Sequence, residues 1–212
     1  MTQNCLSDQQ RSTNQEIVLF HSLLGLRRGV LQWADKLRDA GYTVHTPDLY
    51  DGEVFDDSAS AARKLQGIGF DELIARSRRS VSDRPAGLVY AGFSNGGAFS
   101  ELLAATRPGA RGAILMHAPL PIRPLGWKAW PATVPVQVHF SERDPLRSQD
   151  AIDKLAHSVC RSGATFEEYN YPGSGHLFAD PDLPDFDAAA SDLMFGRILE
   201  LLGRIAMPAK SS

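Results

Sequence analysis

Leu88-Val89-Tyr90-Ala91-Gly92-Phe93-Ser94-Asn95-Gly96-Gly97 reads as a strand, a sharp turn and the start of a helix. Leu88 to Ala91 is an apolar run rich in strand formers, and it stops at Gly92. Ala98-Phe99-Ser100-Glu101-Leu102-Leu103-Ala104-Ala105 is compatible with a helix and begins directly after Gly97. Between the two lies Gly-x-Ser-x-Gly, the pattern of a serine held on a strand-to-helix turn. Backbone at such a serine is strained, and side chains two residues to either side would collide across the turn. Gly92 and Gly96 carry no Cβ to collide. Ser94 is therefore expected at the top of a sheet and at a helix N-terminus, where free N–H groups and the helix dipole favour developing negative charge. A Gly-Ser-Gly turn can also be a plain connector. The deciding question is whether an acid and a histidine follow at the ends of later strands.

Outward from this turn the chain alternates strands with helices. Glu16 to Phe20 is the first strand, followed by the loop His21-Ser22-Leu23-Leu24-Gly25. Val30, Leu31, Ala34 and Leu37 fall near helical spacing in a helix over 30–40, which Gly41 stops. A strand over 42–46 ends at Pro47-Asp48. Helices over 57–66 and 70–81 are split by Gly67-Ile68-Gly69. After the turn come strands over 113–117, 134–140 and 165–171, with a helix over 150–162 before the last of them and a long one over 187–205 after it. A loop rich in proline and tryptophan (Pro119, Pro121, Pro124, Trp127, Trp130, Pro131) separates the fourth and fifth strands. Near-continuous apolar strands alternating with helices predict an α/β fold, a mostly parallel sheet of about six strands with helices on both faces. Without repeats or low-complexity linkers, one domain over 16–207 is expected, flanked by a polar leader over 1–15 and a polar tail over 208–212.

At 212 residues, 43% hydrophobic and 22% charged, the chain can bury a sizeable core without disulfides or metals. The formal net charge of -3 and the scatter of Lys and Arg give no reason to expect nucleic acid. No apolar run approaches the ~18 residues of a membrane span, and the leader lacks the apolar segment of a secretory signal. Cys5 and Cys160 do not suggest a disulfide framework, so a reducing cytoplasm is the expected compartment.

Three chemically matched residues follow predicted strands. Ser94 follows the third, Asp144 in Ser141-Glu142-Arg143-Asp144-Pro145 the fifth, and His176 in Pro172-Gly173-Ser174-Gly175-His176-Leu177-Phe178 the sixth. Parallel sheets bind ligands at these strand ends, and the order Ser, Asp, His is the one α/β-hydrolases use. A serine hydroxyl is a poor nucleophile until a base takes its proton, and an acid behind the imidazole fixes its tautomer and steadies the imidazolium. Asp180 and Asp182 are rival acids, badly placed to reach the far nitrogen of a histidine so close in sequence. His45 beside Asp48 lacks a third ligand for a metal, and no cofactor is expected. His117 and His139 read as satisfied hydrogen bonders at sheet edges. His21 adjoins the loop after the first strand and is a candidate for the site.

The loop after the first strand, Pro47-Asp48-Leu49-Tyr50, Gly92-Phe93-Ser94-Asn95-Gly96-Gly97, Ser141-Glu142-Arg143-Asp144 and Tyr171-Pro172-Gly173-Ser174-Gly175-His176-Leu177-Phe178-Ala179 together resemble the dienelactone hydrolase family of α/β-hydrolases. The resemblance extends over about 16–203. It implies an oxyanion hole from the backbone N–H groups of Leu23 and Asn95. Two departures stand out. The family nucleophile is usually a cysteine, here Ser94, and the glutamate that manages its thiol is replaced by Ser22. They make sense together, because a serine needs no carboxylate to manage a thiolate.

The expected function is therefore hydrolysis of small carboxylic esters or lactones through an acyl-enzyme, by a monomer or small homo-oligomer acting on a small-molecule substrate. The alternatives are an acyltransferase or perhydrolase using the same residues, and a non-catalytic ligand-binding module. Candidate pocket walls are His21, Ser22, Phe93, Trp127, Trp130, Leu177 and Phe178. The resemblance also implies an arginine four residues after the histidine to pair with a substrate carboxylate. Asp180 stands there, so an uncharged ester is the expected substrate.

Overall fold

The computed structural model describes residues 15–121 and 125–206; Cys5, Arg123 and nearly all of the expected leader and tail lie outside them. Six strands form one sheet: β1 (Glu16–Phe20), β2 (Thr43–His45), β3 (Leu88–Phe93), β4 (Gly112–Met116), β5 (Val136–Ser141) and β6 (Phe166–Tyr171). Their order is β2-β1-β3-β4-β5-β6, and every pairing is parallel. The helices are α1 (Arg28–Asp39), α2 (Ser58–Ile68), α3 (Phe70–Arg79), α4 (Asn95–Thr106), α5 (Gln149–Ser162) and α6 (Ala188–Ala206). This is the parallel α/β architecture expected from the alternation and the α/β-hydrolase fold that the resemblance implies.

Strand periodicity of two sorts the apolar residues onto the two faces. Ile17, Leu19, Val89, Ala91, Ile114 and Met116 pack under Trp33 and Leu37 of α1 and Met194, Ile198 and Leu202 of α6. Val18, Phe20, Leu88, Tyr90, Ala113 and Leu115 pack on the other face under Leu73, Phe99, Leu103, Ile152 and Val159. Both faces are covered, which is why β3 and β4 are apolar throughout. Each such buried Leu, Ile or Phe stabilises the fold by about 1.5–3 kcal/mol.

The register sets the site. Phe20 pairs with Gly92, Phe93 with Met116, Met116 with His139 and Ser141 with Tyr171. The carboxyl ends of five strands thus lie level, and the loops that leave them meet above the sheet.

Several boundaries differ from expectation for local reasons. β5 begins after Pro135, which has no N–H for a ladder, although its carbonyl accepts from Ala113 N–H. The break between α2 and α3 is a single residue: Gly69, at φ +84, closes one helix and opens the next, so Gly67 and Ile68 stay in α2. α5 carries a Ser148 side-chain cap and ends at Gly163 in the left-handed region. Among the described residues no helix is long and apolar enough to cross a membrane.

Candidate active site

Ser94 sits between β3 and α4 at φ +51, ψ −114, a conformation that non-glycine residues rarely adopt. Its N–H donates to Met116 O at 2.7 Å, and its carbonyl accepts from Gly97 N–H at 2.9 Å. A Cβ at Gly92 would overlap the Gly96 carbonyl, as expected for a collision across the turn. A Cβ at Gly96 would instead overlap the carbonyls of Phe20 and His21. The second glycine is thus demanded by the end of β1, and it lets the first loop lie against the turn.

The Ser94 hydroxyl is 2.7 Å from His176 Nε2, and His176 Nδ1 is 2.7 Å from Asp144 Oδ2. A neutral imidazole satisfies both bonds only with its proton on Nδ1, donated to Asp144, so that Nε2 accepts from the serine. Asp144 Oδ1 accepts from Leu146 N–H at 2.8 Å, which turns Oδ2 toward the ring. Three further bonds fasten the Asp144 loop to the His176 loop: Glu142 N–H to Tyr171 O, Arg143 N–H to Gly173 O, and Ser141 hydroxyl to Gly175 O. The Asp144 side chain is 0% exposed and that of His176 17%, so the acid is shielded while the ring is reachable.

In the first loop, His21 Nδ1–H donates to Ser22 O at 2.7 Å, Leu49 N–H donates to His21 Nε2 at 3.1 Å, and the ring meets Tyr50 edge-on. Burial pushes its pKa down. Both ring nitrogens are therefore spent on backbone groups of two loops, and His21 is buried. Asp48 turns the next loop through Tyr50 N–H and Gly52 N–H. The Ser22 hydroxyl accepts from Leu24 N–H at 3.2 Å. Asn95 opens α4, so its N–H is one of the donors a helix leaves free.

Ser22, Phe93 and Leu177 line one narrow slot with Trp33 and Asp180. The other four candidate walls, His21 among them, lie elsewhere. Phe178 is buried edge-on against His117 at 4.7 Å, within the core. Trp130 is buried and donates to Val134 O. Trp127 meets Trp130 edge-on and donates to Glu101, on a separate cleft along α4.

Asp180 is a fastening. Its carboxylate packs against Gly29 at the start of α1, accepts from Asp182 N–H at 3.0 Å and lies 3.7 Å from Arg27 Nε. Next to it Asp182 takes two bonds from Arg28, and Trp33 Nε1–H donates to Ala179 O at 2.8 Å. The rival acids thus bind α1, away from His176 Nδ1. The negative charge expected to repel an anionic substrate is partnered by Arg27, a residue with no sequence signal linking it to position 180.

Two histidines depart from expectation. His117 and His139 lie at interior strands, not at sheet edges. His139 is hydrogen-bonded to Gln137 and Tyr171, but both ring nitrogens of His117 are buried without a hydrogen-bond partner among the described residues. His117 also has φ +57, and its ring meets that of His176 edge-on at 5.9 Å. His45 pairs with Glu16 and Arg84 at the other end of the sheet.

A family model described as "Dienelactone hydrolase family" matches residues 4–206. A protein of Aquifex aeolicus (strain VF5), provisionally named a carboxymethylenebutenolidase, is 24% identical over 182 residues, 80% of this chain and 78% of that one. Among solved structures, a dienelactone hydrolase-like promiscuous phosphotriesterase from metagenomic libraries superposes with a TM-score of 0.76 at 22% identity, covering 93% of this chain and 90% of the other. A propionate-bound esterase of the planctomycete Thermogutta terrifontis gives 0.65 at 15% identity, covering 98% and 89%.

Proposed function

The chain belongs to the dienelactone hydrolase family and is a carboxylic ester hydrolase, and from that premise we propose that Ser94, His176 and Asp144 cleave small esters or lactones through an acyl-enzyme. One observation carries this reading: the continuous hydrogen-bonded run from Ser94 through His176 to Asp144, with the serine on a strained turn. Ser94 Oγ attacks the ester carbonyl carbon as its proton passes to His176 Nε2. The oxyanion that forms is held by the N–H groups of Leu23 and Asn95, aided by the α4 dipole. His176 then returns the proton to the departing alkoxide, and the acyl group stays on Ser94. A water, deprotonated by the same nitrogen, attacks the acyl carbon and frees the acid. Asp144 holds the tautomer throughout and stabilises each imidazolium. The unit proposed to act is 16–207, in the cytoplasm.

Within that reading the acyl or alcohol group beside Ser22, Phe93 and Leu177 is small and carries no carboxylate. Support comes from Asp180, a carboxylate in the slot wall whose neighbour Arg27, 3.7 Å away, also pairs with Asp56 at 2.6 Å, so this cluster offers an anionic group no surplus positive charge. A neutral short-chain aryl ester is expected to show a higher kcat/KM than a dienelactone, and the reverse order would discard this preference.

A fluorophosphonate tests the nucleophile. Labelling of the parent at Ser94, and no labelling of a folded Ser94→Ala variant, is the expected result. That variant should also lose on the order of 10³-fold or more in kcat. Labelling at another residue, or near-parental turnover by the variant, would place the chemistry elsewhere.

A further inference from the structure

Ser141 is the last residue of β5 and is only 1% exposed. Its two oxygens reach both halves of the acid–base pair. The carbonyl accepts from Asp144 N–H at 3.3 Å and closes the turn that carries the acid. The hydroxyl donates to the Gly175 carbonyl at 3.0 Å, one residue before His176. One buried residue is therefore bonded to Asp144 and to the chain neighbour of His176.

The backbone bonds between the two loops grip further from the ring. Glu142 N–H bonds Tyr171 O and Arg143 N–H bonds Gly173 O, which hold the root of the His176 loop. Gly173 stands at φ +117 and Gly175 has no side chain, so the chain can pivot between that root and His176. Gly175 also packs closely on Asp185, where an added Cβ would come within 2.8 Å of Asp185 Cβ. That packing limits how near the loop comes to Asp185, whereas the Ser141 hydroxyl ties it to the strand that bears the acid. As a side-chain group, the hydroxyl can be removed by substitution while the backbone bonds persist.

We propose that Ser141 is a positioning residue for the hydrolytic reaction, its hydroxyl setting the 2.7 Å contact between His176 Nδ1 and Asp144 Oδ2. This role presupposes the hydrolytic triad of Ser94, His176 and Asp144 and adds to it a residue that touches neither substrate nor the reacting atoms. Without the hydroxyl, Gly175 drifts, the ring follows, and Nδ1–H meets Asp144 in a longer or bent bond. The imidazolium formed in each step is then less well stabilised, while substrate binding, which does not use this bond, is unaffected.

The test compares Ser141→Ala and Ser141→Thr with the parent on a neutral short-chain aryl ester, per site titrated with a fluorophosphonate. Ser141→Ala is expected to lower kcat by roughly 10–10²-fold with KM unchanged. Ser141→Thr keeps the hydroxyl and should stay close to the parental kcat. Proton NMR gives a readout that needs no turnover. The far-downfield resonance of His176 Nδ1–H, assigned by its loss in His176→Ala, should move upfield in Ser141→Ala and stay in place in Ser141→Thr. The role is overturned by a Ser141→Ala variant with parental kcat, by one whose kcat falls while the resonance stays in place, or by one that changes KM alone. It is also overturned by a Ser141→Thr variant as slow as Ser141→Ala at the parental melting temperature. Should the added methyl destabilise the threonine variant, the resonance in the alanine variant decides alone. Near-parental turnover by Ser94→Ala would refute the triad itself, whereas an inactive Ser94→Ala beside an undiminished Ser141→Ala refutes only the role of Ser141.

Discussion

At the scale of single residues, the site rests on who occupies each nitrogen of each imidazole. His176 has one nitrogen for an acid and one for a hydroxyl, whereas His21 has both tied to backbone. Asp144→Asn keeps the shape but lets an amide N–H face Nδ1, which favours the wrong tautomer. A fall in kcat of roughly 10³–10⁴-fold is expected, with little change in melting temperature. Asp182→Asn removes only the pairing to an exposed arginine, so a near-parental kcat is expected. If steady-state kinetics on an activated ester put the larger loss at Asp182, the role given to Asp144 is wrong. The placing of Ser94, Asp144 and His176 beyond strand ends was legible because each lies in or just beyond a turn that follows a strand-forming run. The burial of His117 without a hydrogen-bond partner among the described residues and the Arg27 contact of Asp180 were not. Whether a buried imidazole finds a partner depends on neighbours from other strands, and Asp180 meets Arg27 only because a loop crosses the start of α1.

Among the elements, α1 and the segment after His176 act as one piece. Gly29 admits the Asp180 carboxylate against the first turn of α1, where a Cβ would overlap it. Gly29→Ala gains up to ~1 kcal/mol of helix propensity. It must also displace Asp180 from Arg27, for which overpacking typically costs ~1–3 kcal/mol. Glycines on α6 offer the contrast, since a Cβ at Gly203 meets nothing within 4 Å. Thermal melts should place Gly29→Ala below the parent and Gly203→Ala above it, and Gly29→Ala should lose kcat as well because the His176 loop shifts. A Gly29→Ala variant as stable and active as the parent would show that the fastening is slack. Elements of this kind were readable from periodicity, down to the split between α2 and α3. Their fastenings were not, because ion pairs between distant loops leave no period in the chain. The tryptophan-rich loop escaped for a related reason: aromatic residues in irregular backbone fit a pocket wall or a core equally well until the helix beneath them is known.

For the whole molecule, buried ionisable groups make stability depend on pH in two opposing ways. His21, His117 and His139 are all shifted downward by burial, His139 to about 3. A lowered histidine stays neutral in the fold while its unfolded counterpart takes a proton below about 6.5. The stability it contributes is present above that pH and is lost as pH falls toward the folded-state value. Glu101 is raised, to about 7, so the fold holds its proton where the unfolded chain has released it. Its contribution therefore declines as pH rises from the unfolded carboxyl value toward 7. Below about pH 6.5 the three lowered histidines act against the one raised carboxyl, so on the balance of these groups acidification destabilises the fold. His117 offers the sharpest test, because its nitrogens have no hydrogen-bond partner among the described residues. His117→Phe removes one proton from the balance and should flatten the acid limb by ~1 kcal/mol per pH unit. Glu101→Gln removes the opposing term, steepening that limb and raising stability at pH 8. Urea unfolding of the parent and both variants between pH 5 and pH 8 measures these slopes. Identical slopes for His117→Phe and the parent would mean that His117 titrates alike in the folded and unfolded chains, which its complete burial among Phe93, Phe178 and His176 does not allow.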